Sequence, residues 1–355
     1  DFVSALNGEF AGVLFEPEHQ AIHLFTDRIG SVPLFYTRSG NPFLFSSRLQ
    51  SIGLHPAFSP RFDRDYLAEF FSVLKTFGTA TPLADVRKVG PASILTVGLD
   101  GSETDRRTYW RPEYRPVSRS PDELATRFTE TLERVFTNRL RDDLEYGVLL
   151  SGGSDSRLVL AATMDDGHTP TAFHLTNWMS REARTAERVA TVADVDLEFL
   201  RRGPDYHADL LETVPEFADF VGTFDEFIAS GFPAELGEVD VLLTGYLGDT
   251  MFGDFPIFTR GSRFPVDLPV ERAVESVDEY VERYLDRYSA PNRVPDFLDA
   301  PGAAEIVSRN IRSGDGGIVH HGVRYRSLRE LQLCEYYPLT NQFAYANSDS
   351  LRQID

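Results

Sequence analysis

The segment YGVLLSGGSDSRLVLAA (146–162) constrains the fold of this 355-residue chain most strongly. Its apolar start predicts a buried strand over 146–150, and a turn rich in glycine and serine leads directly into a predicted helix over 154–164. Glycines let the backbone approach a ligand closely, and the new helix directs N–H donors and the positive end of its dipole toward it. This unit therefore predicts an α/β fold with an anion site at the end of a strand.

Strands and helices alternate beyond residue 122, which is typical of a doubly wound parallel sheet. The pattern predicts strands over 146–150, 171–176 and 239–245, and helices over 122–140, 154–164, 181–193, 270–290 and 324–350. The first hundred residues instead contain short apolar runs separated by turns, which predict a β-rich region with strands over 9–16, 21–27, 32–37, 43–47 and 92–101 and one helix over 63–77. The Arg- and Pro-rich stretch 106–121 is the predicted linker.

Composition excludes several classes of function. The formal net charge of −20 argues against nucleic acid or an anionic membrane as the main partner. No apolar run approaches the roughly 18 residues that a membrane-spanning helix needs, and no signal peptide is visible, so a cytoplasmic protein is expected. The single cysteine, Cys334, cannot form an internal disulfide and is predicted to be a buried, ordinary thiol.

The basic residues are almost all arginine, because only Lys75 and Lys88 are lysines. Together with the excess of acidic residues, this favours adaptation to high salt, where screening relieves repulsion between surface carboxylates. A halophilic, haloarchaeal source is therefore expected, the alternative being an acidic mesophilic protein. We expect the protein to be less stable in dilute buffer than in molar KCl, and full stability in dilute buffer would contradict this interpretation.

The turn SGGSDS (151–156) has the chemistry of a pyrophosphate site. Gly152 and Gly153 allow close approach of the backbone, and the hydroxyls of Ser151, Ser154 and Ser156 add donors. Asp155 would repel a phosphate unless Mg²⁺ bridges the two, so its presence predicts a magnesium site. The turn lacks both the Gly-Lys-Ser/Thr ending of the P-loop and the Gly-x-Gly-x-x-Gly of dinucleotide folds.

Five stretches together resemble the glutamine-dependent asparagine synthetase family. SGGSDS resembles the SGGxDS loop of the ATP pyrophosphatases, and VDVLLTGYLGDTMFGDF (239–255) is similar to the family's second nucleotide segment. LNGEFAGVLFE, FTDRIGSVPLFYT and FLFSSRLQSIGLHP resemble the later part of its glutaminase domain. The resemblance implies two domains. Residues 1–112 would form a partial N-terminal-nucleophile (Ntn) hydrolase-like domain. Residues 113–355 would form a PP-loop ATP pyrophosphatase domain of the adenine nucleotide alpha hydrolase-like fold.

The resemblance also implies which residues bind ATP. The SGGSDS turn would hold pyrophosphate, and Asp155 and Asp249 would share Mg²⁺ at the carboxyl ends of two strands. Leu149 and Leu175 occupy the places that hold adenine in the family, although both are otherwise plain core leucines. The remaining predicted ATP-binding residues belong to the second segment: Thr244, Gly245 and Gly248.

Several departures from the family pattern bear on the exact activity. Residue 1 is Asp, whereas the glutaminase mechanism needs a cysteine as the first residue. Tyr246 stands where asparagine synthetases usually have an acid, and Thr250 likewise replaces one. A tyrosine at the first place resembles the β-lactam synthetase branch, in which a Tyr–Glu pair assists amide closure; Tyr246 as a packing or substrate-lining ring is the alternative. The candidate partners are Glu275, Glu279 and Glu282.

The resemblance implies an ATP-dependent amide ligase that adenylates a carboxylate, with aspartate expected from the family alone. Ammonia or an amine would then displace AMP, and Asp155, Asp249 and Tyr246 would be the catalytic residues. Because the family's "R-x-P-F-L-D" segment follows the stretch that 346–355 resembles, the synthetase domain is expected to be incomplete. Two alternatives stay open: another amide-forming ligase on the same scaffold, and a non-catalytic nucleotide-binding scaffold. A homodimer is a further open alternative.

Two weaker candidates lie elsewhere. The pair His320-His321 could suggest a metal site, but adjacent histidines in a strand face opposite sides, and an ordinary loop is the favoured interpretation. Arg181, Glu182 and Arg184 follow the predicted strand 171–176, where phosphates or ribose could lie. A solvated helix face is the favoured interpretation of these three.

Overall fold

The computed structural model describes the chain in two compact units. It describes residues 2–38, 42–73, 78–113, 115, 117–214, 230–246, 259–260, 272–273, 276–288, 298–314 and 316–336. The first unit contains the described residues of 2–113 and 259–336, and the second contains 115–214 and 230–246. Within these ranges, no helix is both long and apolar enough to cross a membrane.

A four-stranded parallel sheet organises the second unit, as the alternation of strands and helices predicts. Its strands are β8 (Tyr146–Leu149), β9 (Thr171–Thr176), β10 (Leu197–Arg201) and β11 (Val241–Thr244). Their spatial order is β10-β9-β8-β11, so the chain reaches β9 and β10 on one side of β8 and returns to β11 on the other. The direction of winding therefore reverses between β8 and β11, where open α/β sheets place their ligands.

Helices cover both faces of this sheet. On one face, α4 (Ser154–Asp165) and α5 (Arg181–Ala193) pack against Val148 and Ala172. The helix α5 presents buried alanines at 183, 186 and 190, whose spacing aligns them on one face and whose small size allows close approach to the sheet. On the other face, α6 (Tyr206–Thr213) and α7 (Pro233–Leu236) cover a cluster that includes Phe173 and Leu200.

The helix α3 (Pro121–Arg139) begins the second unit and buries none of its residues. Its start is well specified by sequence: the Ser120 hydroxyl accepts a hydrogen bond from Glu123 N at 3.2 Å, and the Glu123 carboxylate accepts one from Ser120 N at 2.9 Å. Pro121 occupies the first turn, where its missing N–H costs nothing. This reciprocal capping box stabilises a helix that gains little from burial.

We therefore expect Ser120→Ala to lower the free energy of unfolding of the second unit by about 1 kcal/mol, because the backbone N–H of Glu123 loses its partner. Chemical denaturation followed by circular dichroism measures this. Ser118→Ala is the matched control, since Ser118 is exposed and precedes the helix. Equal stability of the two variants would contradict the capping role.

The first unit is β-rich, as predicted, and is built mainly from antiparallel strands. One sheet has the order β1-β2-β6-β7 and a second has the order β4-β3-β5. Their bounds are β1 (Ala11–Glu16), β2 (Ala21–Thr26), β3 (Phe35–Thr37), β4 (Phe45–Ser46), β5 (Val86–Lys88), β6 (Ser93–Gly98) and β7 (Glu103–Thr108). Leu24, Tyr36 and Leu95 form part of the main core. Helices α1 (Leu49–Gly53) and α2 (Arg64–Val73) follow β4 in sequence.

The later segments of the chain complete the first unit. A two-stranded pair joins β12 (Thr259–Arg260) and β13 (Arg272–Ala273), and a three-stranded sheet joins β14 (Ile311–Gly314), β15 (Gly317–His320) and β16 (Val323–Tyr325). The helices here are α8 (Val277–Tyr288), α9 (Ala303–Asn310) and α10 (Leu328–Leu331). Ile306 of α9 packs in one core with Phe70 of α2, so distant parts of the sequence share this unit.

Three predicted elements differ from the structure. The predicted linker 106–121 begins inside β7, because residues 106–108 pair with β6. The predicted helix over 270–290 begins only at Val277, since residues 272–273 pair with β12. The predicted helix over 324–350 is wrong in its first residues, which belong to β16. Among the described residues of this range, α10 and a π-helical turn (Gln332–Tyr336) follow the strand.

A buried carboxylate ties this π-helical turn to the three-stranded sheet. Glu335 accepts hydrogen bonds from His320 Nδ1 at 2.7 Å and from the Tyr325 hydroxyl. Burial alone would raise the pKa of Glu335, but the charge and hydrogen bond of His320 and the bond from Tyr325 bring it below its ordinary value. The stability contributed by this carboxylate is therefore present above its unfolded pKa and lost as the pH falls through its lower folded pKa.

Glu335→Gln is accordingly expected to lower the free energy of unfolding by roughly 2 kcal/mol at pH 7, because a buried charge-assisted network is broken. The difference from the wild type should shrink below the ordinary carboxyl pKa of 4.5. Urea denaturation at pH 7 and pH 4 measures this. The control is Glu305→Gln on the exposed side of α9, and a pH-independent difference for Glu335→Gln would contradict the network.

Candidate functional site

The candidate site begins where β8 ends. The backbone passes from buried Leu150 into Ser151 and then Gly152, whose φ is +81°. A Cβ built on Gly152 would lie 2.9 Å from Thr185 Cγ2 and 3.0 Å from Ala186 N, so the turn is pressed against α5. Both the left-handed backbone and this close approach require glycine. The contact with α5 therefore restricts the backbone conformation of the predicted turn at Gly152.

The helix α4 begins directly after this turn, at Ser154. Gly153 is its N-cap residue, and no side chain caps the helix with a hydrogen bond. A serine or aspartate at this position would normally cover the N–H groups of the first turn. Glycine leaves these donors and the positive end of the helix dipole directed at the space beyond the strand, which is the arrangement that binds phosphate groups.

The serines of the turn have different surroundings. The Ser151 hydroxyl lies 3.1 Å from that of Ser156 and accepts a hydrogen bond from Gly153 N at 3.2 Å. Ser156 is only 5 % exposed and also donates to Gly153 O at 3.3 Å, so these two serines brace the turn. Ser154 is exposed, and its hydroxyl donates to Asp155 Oδ1 at 3.3 Å. Ser154 and Asp155 thus form the open side of the turn.

The second predicted segment reaches the same place through β11. Thr244 pairs with Leu149 in the parallel sheet, so β8 and β11 end side by side. A Cβ built on Gly245 would lie 2.7 Å from both the carbonyl carbon of Asp155 and the nitrogen of Ser156. The backbone of Gly245 therefore rests on the first turn of α4, at the point where the winding of the sheet reverses.

Tyr246 follows this contact and is 44 % exposed, with its backbone nitrogen donating to Thr244 Oγ1 at 3.1 Å. Gly248, Asp249 and Thr250, which the sequence also singles out, lie outside the described residues. Glu275 lies outside them too, while Glu279 and Glu282 belong to α8 in the first unit. The structure thus brings Thr244 and Gly245 to the turn, whereas the Tyr–Glu pair stays a prediction.

The other predicted residues lie further along the sheet or away from it. Leu149 and Leu175 are half-buried and pack against the cluster of Phe173 and Leu200. Arg181, Glu182 and Arg184 are exposed at the start of α5. His320 is buried at the end of β15, and Cys334 is half-buried in the first unit, where burial raises the pKa of its thiol to about 11. The described residues contain no cluster of three or more His, Cys, Asp or Glu side chains that could hold a metal.

Two residues that contact the turn were not among the predicted site residues. His174 is buried in β9, and its Nδ1–H donates to Leu150 O at 2.7 Å, which fixes the end of β8 just before the turn. Arg157 is exposed on α4, and its Nε donates to Gly153 O at 3.2 Å, which places a positive charge beside the loop. The sequence signal for His174 was a histidine within the otherwise apolar run TAFHLT, and that for Arg157 was an arginine in the first turn of a predicted helix.

Comparisons with known proteins match both regions. A glutamine amidotransferase domain model matches residues 1–110, and an asparagine synthase model matches residues 127–329. These matches agree with the family resemblance and with the glutaminase-like character expected of the β-rich N-terminal region. They leave between them residues 111–126, which include most of the predicted linker.

Three relatives illustrate the similarity. Asparagine synthetase (glutamine-hydrolyzing) 3 of Bacillus subtilis (strain 168) is 32 % identical over 163 residues, 45 % of this chain and 26 % of that protein. Asparagine synthetase (glutamine-hydrolyzing) 1 of the same organism is 25 % identical over 267 residues, 72 % of this chain and 41 % of that protein. Amidase chry2 of Gibberella zeae is 33 % identical over 165 residues, 44 % of this chain and 23 % of that protein. This chain thus matches less than half the length of each.

Proposed function

Because the chain belongs to the asparagine synthase family, we propose that it is the nucleotide-binding part of an ATP-dependent carbon–nitrogen ligase that forms an amide and releases AMP and pyrophosphate. The proposal rests on the close contact of Gly245 with the backbone of Asp155 and Ser156. Through this contact, two segments some ninety residues apart lie side by side at the switch point of a parallel sheet, beside a helix N-terminus that no described side chain caps; we take this place as the nucleotide crevice.

The residues of the crevice suit the departure of pyrophosphate. An acceptor carboxylate attacks the α-phosphorus of ATP, the bond to the β-phosphate oxygen breaks, and an acyl-adenylate and pyrophosphate result. The N–H groups at the start of α4 and the Ser154 hydroxyl stabilise the negative charge that develops on the leaving group. Ser151 and Ser156 hold the turn in shape for this role, and Arg157 adds positive charge beside it.

The Asp155 carboxylate is better suited to bind Mg²⁺ than to contact a phosphate directly, because the two negative charges would repel each other. Mg²⁺ in nucleotide sites is usually held by one or two carboxylates together with substrate phosphates, so a larger protein cluster is not required. When bound, the ion would neutralise charge on the phosphates during the transfer. We propose Asp155 and Asp249 as its ligands. Asp155 lies at the open side of the turn, next to the helix N-terminus that faces the phosphates.

The second step joins the nitrogen. Ammonia or an amine attacks the acyl carbon of the adenylate, AMP leaves with the electrons of the broken carbon–oxygen bond, and the amine loses a proton. Aspartate is the acceptor proposed from the family. Tyr246 is exposed and directly follows Gly245, and we propose that it contributes to the choice of acceptor or nitrogen donor. We assign the nucleotide chemistry to residues 113–355 and a glutaminase-like domain to residues 1–112.

ATP–pyrophosphate exchange tests this function, since it reports adenylation without a nitrogen donor. The assay is run in molar KCl with Mg²⁺, with and without aspartate, beside direct measurement of ATP binding. Aspartate-dependent exchange is expected. ATP binding without exchange would instead favour a different acceptor or a nucleotide-binding scaffold, and absence of both would contradict the assignment of the crevice.

A further inference from the structure

The first unit contains a basic site that is distinct from the candidate nucleotide site of the second unit. An open cavity of about 310 Å³ is lined by parts of the chain that are far apart in sequence. Three of its lining residues are arginines, from β5, α9 and β14: Arg87, Arg309 and Arg312. In a chain of net charge −20, three guanidinium groups around one small cavity mark a local reversal of the overall charge.

The arginines retain donors for a ligand. Among the described residues, Arg87 hydrogen-bonds through Nη1 alone, to the carbonyls of Ala84 at 3.2 Å and Val86 at 3.0 Å. Arg309 makes a long ion pair with Asp65 at 3.5 Å. Arg312 is exposed and makes no ion pair with any residue that the structure describes. Planar guanidinium groups with unused N–H donors are well suited to oxyanions, which they bind in a bidentate manner.

His321 also lines the cavity. Its Nε2 is buried and makes no hydrogen bond within the described part of the chain, although it lies 3.4 Å from Glu69 Oε1. Burial lowers the pKa of His321, but the Glu69 carboxylate more than reverses this, and the net direction is upward. Glu69 in turn accepts a hydrogen bond from Asn310 Nδ2 at 2.6 Å, so its charge is already shared between two partners.

Backbone pairing holds the walls of the cavity together. Ala80 pairs with Arg87 through an isolated bridge, and His321 N donates to Asn310 O at 2.7 Å. The arginines therefore project from a scaffold whose main chain is fixed. Asp65 and Glu69 pair with Arg309 and His321, and the carboxylates of Asp63 and Asp85 act electrostatically on Arg87 without forming an ion pair with it among the described residues.

We propose that this cavity binds a small dianion, namely a phosphate group, whether as inorganic phosphate or at the end of a phosphorylated metabolite. Three guanidinium groups line the cavity, only that of Arg309 forms an ion pair among the described residues, and the volume leaves room for a phosphate with a small group attached to it. The proposal does not depend on the function of the nucleotide crevice.

Titration calorimetry with inorganic phosphate at constant ionic strength tests the site. The measurement is repeated with saturating α,β-methylene-ATP, which occupies the nucleotide crevice if that assignment is right. We expect phosphate binding that persists with the analogue. Arg312→Ala should weaken it about tenfold, and Arg312→Lys should weaken it less, because lysine keeps the charge without the planar fork. Arg139→Ala, at the exposed end of α3 in the second unit, is the charge-matched control and should bind as the wild type.

Several outcomes would overturn the proposal. One is the absence of phosphate binding, and another is equal weakening by Arg312→Ala and Arg139→Ala. A third is binding abolished by the analogue but not by Arg312→Ala, which would locate the phosphate in the nucleotide site. Equal affinity for acetate would contradict the selectivity for a dianion. Arg309→Ala provides a second variant at the exposed rim, should Arg312→Ala prove unstable.

Discussion

Gly245→Ala is expected to weaken ATP binding on the order of 100-fold and to lower the free energy of unfolding by about 2 kcal/mol. The reason is steric: the new methyl group would lie 2.7 Å from backbone atoms of Asp155 and Ser156, and backbone cannot swing aside as a flexible side chain can. Either β11 or the first turn of α4 must move. Calorimetry with an ATP analogue and chemical denaturation measure the two effects.

Gly203→Ala is the matched control for this substitution. Gly203 also lies in the second unit, after β10, and a Cβ built on it meets no atom within 4 Å. Both variants add one methyl group at a glycine close to the end of a parallel strand. Near-wild-type ATP binding by Gly245→Ala would show that the contact between the two segments has no part in the nucleotide site.

Asp155→Ala should reduce ATP–pyrophosphate exchange on the order of 100- to 1000-fold while leaving the protein folded. The side chain is only partly buried, and in the first turn of α4 its charge adds less than about 1 kcal/mol through the helix dipole. The large effect is expected on the reaction, because the metal that screens the phosphates loses a ligand. Exchange rates across a range of Mg²⁺ concentrations measure this.

Asp165→Ala serves as the control at the opposite end of the same helix, where the carboxylate is exposed and distant from the turn. It removes the same charge without touching the crevice. Wild-type exchange is expected for Asp165→Ala. If Asp155→Ala retained exchange within a few-fold of the wild type, Asp155 would not be a magnesium ligand in the reaction.

The strand–turn–helix unit and its neighbours could be predicted from sequence because local signals agree there. Strand β9 and helix α5 have the predicted bounds, and β8 and α4 differ from theirs by one residue. In each, apolar periodicity, glycine placement and helix-start residues indicate the same boundary. Strand β10 was missed because its segment LEFLR carries charges, which an edge strand tolerates when only Leu200 is fully buried.

Long-range contacts account for most of what the sequence could not predict. The periodicity at 324–350 favours a helix, but Val323–Tyr325 pairs with β15, and such pairing overrides local preference. The motifs identified Gly245 as a candidate, yet its place on Asp155 and Ser156 depends on the order of strands in the sheet. His174 likewise acts through Leu150, a contact between neighbouring strands that spacing does not reveal.

A crystal structure of the protein with α,β-methylene-ATP and Mg²⁺ tests most directly whether the start of α4 and Gly245 form the nucleotide site. The predicted result is a triphosphate group that lies against the backbone of residues 153–156 and beside Gly245, with the metal bound to Asp155. Nucleotide density at another place in the structure, with no phosphate at the start of α4, would contradict the account.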